Sequence, residues 1–221
     1  MSATTRGNET STTIRRCSAL ALAAAVFAAP VTAAAAPADV PDIEWPPAGT
    51  TPPNHTPEEI QQIATRLQQH VERTFPEVVP NAVDPQTPQP GLLKDNLLLG
   101  TTSFHIPGGR TGVTFQYDAP GEWTAEPKLS CERDPEAWLC EGTLLPDGSV
   151  LVHKRRGGTA EDPFETASTM HFRLDGAVTI VSGYNYDPVI DDEQDPEPRP
   201  AVAVSFEQLD AFATDPALAF A

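Results

Sequence analysis

Residues 143–182 decide the fold, and they read TLLPDGSVLVHKRRGGTAEDPFETASTMHFRLDGAVTIVS. Short runs rich in Val, Leu, Thr and Phe alternate there with two turn sequences, Pro-Asp-Gly at 146–148 and Asp-Gly at 175–176. Apolar and β-branched runs separated by such turns are typical of antiparallel strands joined by hairpins. The segment therefore predicts an antiparallel β-meander.

Both faces of this predicted sheet carry apolar side chains. Residues 169–174 alternate polar and apolar, so each set lies on one face, whereas residues 178–181 read VTIV and place aliphatic side chains on both faces. A sheet of this kind needs cover on both sides. We expect one helix over 57–75 and a short one after Ser205, where Gln208 completes a capping box. The predicted fold class is α+β, mainly β.

The start of the N-terminal helix is clear from the sequence. Thr56 is a natural N-cap, Pro57 suits the first helical position, and Glu59 completes a capping box. Apolar residues then recur at helical spacing along one face, and Pro76 is expected to end the helix. The amphipathic helix is therefore predicted over 57–75. Its apolar face is expected to pack on the sheet, the alternative being a partner-binding helix.

The chain begins with the three parts of a secretory signal peptide. A polar start contains Arg15 and Arg16, an apolar run follows at 19–29, and small residues follow at 31–36. We predict a cleaved signal peptide over 1–33 and a secreted, extracytoplasmic protein with no stable membrane insertion after cleavage. An uncleaved anchor is the alternative, and both the general secretory and the twin-arginine routes stay open.

The rest of the chain divides by composition. Residues 34–56 are rich in proline and poor in aliphatic residues, which predicts a disordered spacer. Trp45 lies within it and is interpreted as an isolated exposed aromatic residue, with a docking role as the alternative. A second Pro-rich stretch at 76–91 is predicted to be a flexible linker. Residues 92–218 are predicted to form a β-rich extracytoplasmic domain.

The charge balance limits which classes of partner are expected. The chain has 14 Lys and Arg against 31 Asp and Glu, a formal net charge of −17. Such an excess of negative charge is unsuited to neutralising phosphates, so nucleic acid and anionic lipid surfaces are not expected as partners. A protein or a cell-envelope component is expected instead.

One basic cluster, Lys154-Arg155-Arg156, stands out in this acidic chain. Two roles are open for it: docking of an anionic cell-wall polymer, and ion pairs with nearby carboxylates. The second is the favoured interpretation.

The cysteines give the most specific chemical prediction. Cys17 leaves with the predicted signal peptide, so Cys131 and Cys140 remain as an even pair in an oxidising compartment. A disulfide between them is predicted to close a short loop at the edge of the sheet. Two unpaired buried thiols are the alternative, and the spacing is wrong for a metal site. Neither a metal nor a cofactor is predicted.

His153 and His171 are the candidate surface site. If the strands that contain them pair through the polar loop at 157–165, the two side chains lie nearly opposite each other. They would then be close enough to share a ligand or to act as a pH-sensitive pair. Arg155 and Arg173 lie on the same faces and disfavour a cation there. Ordinary surface or boundary histidines are the favoured alternative.

The sequence contains none of the local motifs that mark phosphate-binding loops, nucleophile elbows, zinc proteases or paired CxxC sites. The catalytic residues of any enzyme activity are therefore unassigned.

Four features carry a resemblance over about half of the chain. They are the cysteine pair, LPDGSVL at 145–151, FRLDGAVTIV at 172–181 and SFEQLDAFATDP at 205–216. In these features the chain resembles uncharacterised exported or membrane-tethered proteins of actinobacterial type. The resemblance implies an export signal and a small β-rich extracytoplasmic domain that ends in a helix, and it supplies no catalytic residues.

These observations predict a secreted, non-enzymatic module that binds a protein or a cell-envelope component through the surface or an edge of its sheet. Two alternatives stay open: an extracytoplasmic hydrolase that uses carboxylates, and a sensor domain held by an uncleaved anchor. A concave pocket with two converging acids of shifted pKa would favour the hydrolase. A shallow convex sheet would favour binding.

Overall fold

The computed structural model of the protein describes residues 40–189 and 197–220. The predicted signal peptide at 1–33 lies outside these residues. The helices are α1 (Pro57–Val78), α2 (Pro127–Glu132) and α3 (Phe206–Ala213), followed by a 3₁₀ turn at Pro216–Leu218. The strands are β1 (Val83–Gln86), β2 (Gly91–Lys94), β3 (Leu97–Ile106), β4 (Gly109–Asp118), β5 (Ala137–Leu144), β6 (Val150–Arg156), β7 (Thr166–Phe172) and β8 (Val178–Tyr184).

The strands form one antiparallel sheet in the order β1, β3, β4, β8, β7, β6, β5, with β2 paired beside β3. Strands β5 to β8 follow one another as a meander, and the β3–β4 hairpin joins the meander because β4 pairs with β8. The predicted turns at 146–148 and 175–176 lie between β5 and β6 and between β7 and β8. The predicted fold class, a mainly β antiparallel fold with an N-terminal and a short C-terminal helix, is confirmed.

We call the side of the sheet that carries α1 and α3 the helix face. The apolar sides of both helices pack there against the strands, and Phe75, Phe104 and Phe212 are at most 1% exposed. The Phe75 ring lies 5.3 Å from that of Phe104 and 5.5 Å from that of Phe212, measured between centroids. The helix face is therefore closed by a continuous aromatic core.

Helix α1 begins where the sequence predicts and ends slightly later. Thr56 and Glu59 form the predicted capping box. Pro76 lies inside the last turn instead of ending the helix. The extra turn persists because the Val79 N–H donates to the Phe75 carbonyl at 2.8 Å and Val79 is only 3% exposed. This packing offsets the backbone hydrogen bond that proline lacks.

We call the opposite side the coil face, because irregular segments and the short helix α2 cover it. Residues 40–56 cross one end of it, where the Trp45 ring lies 5.1 Å from the Phe172 ring in an edge-to-face contact. Trp45 is 7% exposed, and its Nε1 donates to the Trp123 carbonyl at 2.8 Å. Over residues 40–56 this arrangement differs from the predicted disordered spacer and from the exposed Trp45, because burial against Phe172 compensates for the scarcity of aliphatic residues. Residues 34–39 of the predicted spacer lie outside the described residues.

Regular structure is also present in the predicted linker at 76–91. Strand β1 lies within it and pairs with β3 through an irregular register, in which Val83 is opposite His105. Pro85 is compatible with this strand because β1 is at the edge of the sheet, where a missing N–H is tolerated.

Candidate functional site

The predicted surface residues His153 and His171 both lie on the helix face, beneath α3. In the register of β6 and β7, His153 is opposite Thr169, and His171 is opposite Leu151. The two histidines are therefore diagonal neighbours two residues out of register, not direct partners.

His153 and Arg155 contact α3 through one aromatic ring. The His153 ring stacks on Phe206 with centroids 4.4 Å apart, and the Arg155 guanidinium lies 5.1 Å from the centre of the same ring. His153 Nε2 is 2.8 Å from Asp210 Oδ1, and this hydrogen bond raises the pKa of His153. Arg155 pairs with Glu165 at 2.6 Å. Both side chains thus connect α3 to the sheet.

His171 and Arg173 contact the end of α3. His171 Nδ1 lies 3.0 Å from the Ala213 carbonyl oxygen and its Nε2 lies 2.9 Å from Ser149 Oγ. Arg173 donates to the Ala213 and Asp215 carbonyls at 2.9 and 2.8 Å. Burial, followed by the Arg173 charge, lowers the pKa of His171. The four predicted residues therefore have structural contacts with α3 and its following turn.

A concavity lies on the coil face, over strands β6, β7 and β8. We call it the cleft; it has a volume of about 530 Å³. One side is formed by β6, β7 and β8, and the other by residues 123–134, which include α2. Ligand pockets for small molecules commonly have volumes between about 300 and 1,000 Å³. The cleft is therefore large enough for a small organic molecule.

The floor of the cleft is the surface of the three strands, and their register arranges it in rows. The rows are Arg156, Thr166 and Tyr184; then Lys154, Ser168 and Ser182; then Met170 and Ile180. Ser168 and Ser182 hydroxyls lie 2.8 Å apart across β7 and β8. Burial raises the pKa of Tyr184. The floor thus passes from charged and hydroxyl-bearing side chains at one end to apolar ones at the other.

The roof of the cleft is the segment 123–134, and two contacts fix its position. The sulfurs of Cys131 and Cys140 lie at disulfide distance, with Cα atoms 5.6 Å apart, which is consistent with the predicted disulfide between α2 and β5. The Trp45 hydrogen bond to the Trp123 carbonyl connects the other end of the roof to the N-terminal segment. The cleft is therefore bounded by tethered, irregular structure.

The basic cluster at 154–156 divides between the two faces. Arg155 lies on the helix face, whereas Lys154 and Arg156 line the cleft. Lys154 Nζ lies 2.6 Å from Asp134 Oδ2, so this charge is balanced. Among the residues that the structure describes, the exposed Arg133 and Arg156 side chains at the cleft form no ion pair. The favoured prediction of ion pairs thus agrees with the contacts of Lys154 and Arg155 and not with those of Arg156.

Two buried hydrogen-bond donors also belong to cleft-lining residues. Within residues 40–189 and 197–220, neither Trp123 Nε1 nor Ser130 Oγ has a hydrogen-bond partner. Ser130 is 7% exposed. A buried polar group without a partner costs roughly 1–3 kcal/mol, so such groups require an explanation. Both atoms are buried beneath the surface of the cleft.

Sequence reasoning found part of this site. The period-two alternation of a strand separates Lys154 and Arg156 from Arg155, and that signal was available in the sequence. Trp123, Ser130 and Arg133 had no such signal, because they come together with the strands only through the fold of an irregular segment.

Comparison with known proteins finds no similar family model, no similar curated protein and no similar solved structure. The resemblance to exported proteins of actinobacterial type stays a prediction. None of the helices within 40–189 and 197–220 combines the length and hydropathy that a membrane span requires. In the same part of the chain, no three His, Cys, Asp or Glu side chains converge to hold a metal ion.

Proposed function

We propose that the protein is a secreted, non-enzymatic binding module that takes a small anionic ligand into the cleft. One observation carries the proposal: the exposed side chains of Arg133 and Arg156 line the cleft, and neither has an ion-pair partner among the described residues. Guanidinium groups and N–H or O–H donors together recognise oxyanions.

The local charge opposes that of the whole chain. The formal net charge is −17, yet the cleft has three basic side chains and one carboxylate, Asp134, among its lining residues. The field of the distant carboxylates is screened over about 8–10 Å at physiological ionic strength, whereas contacts inside the cleft are screened less. Two unpaired arginines can therefore attract an anion locally.

The hydrolase alternative requires different groups. Glycoside hydrolysis by carboxylates uses two acids that flank the scissile bond. The described residues that line the cleft include Asp134 alone of that type, and it is paired with Lys154. The lining therefore supports anion binding better than carboxylate catalysis.

The extracytoplasmic location is part of the same proposal. The predicted signal peptide, the resemblance to exported proteins and the Cys131–Cys140 pair at disulfide distance all support it. Export would also keep the disulfide oxidised, and the disulfide holds the roof in position.

The test is calorimetric titration of the purified protein with two probes of the same shape, anionic 2-naphthoate and neutral 2-naphthamide. We expect the wild type to bind naphthoate more tightly than naphthamide. The double variant R133Q/R156Q should lose about tenfold or more in naphthoate affinity, because it removes both unpaired charges.

The matched control is K128Q. Lys128 is in α2, the short helix that Arg133 follows. Its side chain is 54% exposed, lies 4.0 Å from Glu132 and does not line the cleft. It should keep wild-type affinity. Equal binding of the two probes, or equal losses in R133Q/R156Q and K128Q, would show that the cleft does not select anions.

A further inference from the structure

The cleft is polar at one end and apolar at the other. Met170 is 4% exposed and Ile180 is partly buried in the third row of the floor, whereas Arg156 is exposed in the first. The next row beyond the cleft contains Phe172 and Val178, which pack beneath Trp45 in the apolar cluster of the coil face. The floor thus continues into an apolar core.

The roof also passes from polar to apolar side chains along the length of the cleft. Asp134 and the Ser130 carbonyl both contact Lys154, at 2.6 and 3.2 Å, so this part of the roof lies over the second row. Trp123 is held near Trp45 by its carbonyl and packs against the apolar cluster that includes Phe172. The polar part of the roof therefore covers the polar part of the floor, and the indole lies towards the apolar end.

We infer that the ligand is an amphipathic anion, with an anionic head at Arg133 and Arg156 and an apolar body over Met170 and Ile180. This inference rests on the proposed function, because it specifies what the anion-binding cleft takes. A head group alone would leave the partly exposed Ile180 side chain in the third row uncovered. A wholly apolar molecule would leave the two arginines without an acceptor.

The geometry sets the length of the whole ligand, head group included. Successive rows are two residues apart along each strand, and a strand rises about 3.3 Å per residue, so the floor from the first to the third row is about 13 Å long. Each methylene that the cleft buries is expected to improve affinity by up to about fourfold. The gain should stop once the ligand is longer than the floor.

The experiment is a calorimetric series of carboxylates of increasing chain length, acetate, hexanoate, octanoate and decanoate, with inorganic phosphate as an anion that has no apolar body. The wild type should bind more tightly with each lengthening, and decanoate should bind at least tenfold more tightly than hexanoate. Neutral decanamide should bind more weakly than decanoate.

Two variants locate the effect in the cleft. I180Q should reduce the gain from hexanoate to decanoate severalfold, because it places a polar group in the apolar row. L144Q is the control, since Leu144 is 57% exposed on β5 and does not line the cleft. Circular dichroism checks that both variants fold, and the wild-type series decides the question if either does not.

A free carboxylate and a membrane lipid share this chemistry, so a second arm uses vesicles of phosphatidylglycerol. A cleft under a tethered roof should bind monomeric decanoate and not the vesicles. Vesicle binding without decanoate binding would overturn the inference.

The outcomes separate the two proposals. Phosphate or acetate bound as tightly as decanoate, with the binding lost in R133Q/R156Q, would overturn the amphipathic ligand and leave the anion site. Absence of binding by every anion in the series would overturn both.

Discussion

The two faces of the sheet are covered in different ways. On the helix face, α1 and α3 bring apolar stripes against the strands, and Phe75, Phe104 and Phe212 form one closed aromatic core. On the coil face, a Pro-rich segment and a tethered loop cover the two ends, and a cleft of about 530 Å³ lies over the polar rows.

The two faces pack differently because helices cover one of them and irregular segments cover the other. A helix presents side chains every three or four residues, so it can fill the surface of a sheet continuously. An irregular segment packs only through single residues such as Trp45, because its backbone needs its own hydrogen-bond partners. Close packing therefore forms in the aromatic core under the helices, and the cleft lies where coil covers the sheet.

The largest expected effect contrasts core positions on the two faces. F75A should lower the free energy of unfolding by about 4 kcal/mol, because it opens a cavity between two other rings in a closed core. W45A should lower it by about 3 kcal/mol or less, since the loss is limited to the docking of residues 40–56. Chemical denaturation measures both.

The control for these variants is Leu93, which is 65% exposed. L93A should change the free energy of unfolding by no more than about 0.5 kcal/mol. A W45A loss larger than that of F75A would mean that the coil face, and not the helix face, dominates stability.

The helices and strands of the helix face were predictable from interactions between residues that are close in sequence. Both capping boxes occur at the predicted residues, since each depends on a side chain only three residues from its partner. The meander followed from turn residues and alternation for the same reason. The extension of α1 past Pro76 was missed, because it depends on the burial of Val79.

The structure of the coil face depends on contacts between residues that are far apart in sequence. Trp45 and Phe172 are more than a hundred residues apart, so composition alone assigned residues 40–56 to a spacer. The cleft requires the register of three strands together with the position of Arg133 in the roof. No local pattern encodes that combination, so the sequence did not indicate the cleft.

The second effect concerns the Cys131–Cys140 pair, which holds the roof of the cleft against β5. The double variant C131S/C140S should lose at most about 2.5 kcal/mol of unfolding free energy, the value for closing a loop of about ten residues. Hydrogen exchange should accelerate in α2 and β5 and stay unchanged in α1. Reduction of the wild type should reproduce both changes. Equal protection of α2 in the oxidised and reduced protein would contradict a disulfide that positions the roof.

The third effect comes from Asp118, which lies on the coil face and is 1% exposed. Burial raises its pKa to about 6 from the ordinary value of 3.8. The folded state therefore binds this proton more tightly than the unfolded state, and the contribution to stability increases as the pH falls through about 6. D118N should remove this dependence and stabilise the protein above that pH, on the order of 2 kcal/mol.

The comparison for D118N is E161Q, at an exposed position in the loop between β6 and β7. Denaturation from about pH 4 to about pH 8 should give parallel curves for E161Q and the wild type. A D118N curve that also runs parallel to the wild type would refute the raised pKa of the buried Asp118 carboxyl.

The smallest effect comes from His153 on the helix face. Its hydrogen bond to Asp210 raises its pKa, so the stabilisation is complete below the unfolded value of 6.5 and is lost as the pH rises through the higher folded value. H153Q should cost less than about 1 kcal/mol near pH 6 and less still at higher pH. H105Q, at an exposed position on β3, should not change the pH dependence. A constant H153Q loss across this range would mean that the contact is not ionic.

We propose that decanoate binds on the coil face and leaves the helix face unchanged. An amide chemical-shift titration of the protein with decanoate tests this location. We expect shifts concentrated in residues 123–134, 154–156, 166–170 and 180–184, with α1 and α3 unaffected. Shifts centred on α3 and the residues around His153 and His171, or no shifts at saturating decanoate, would contradict it.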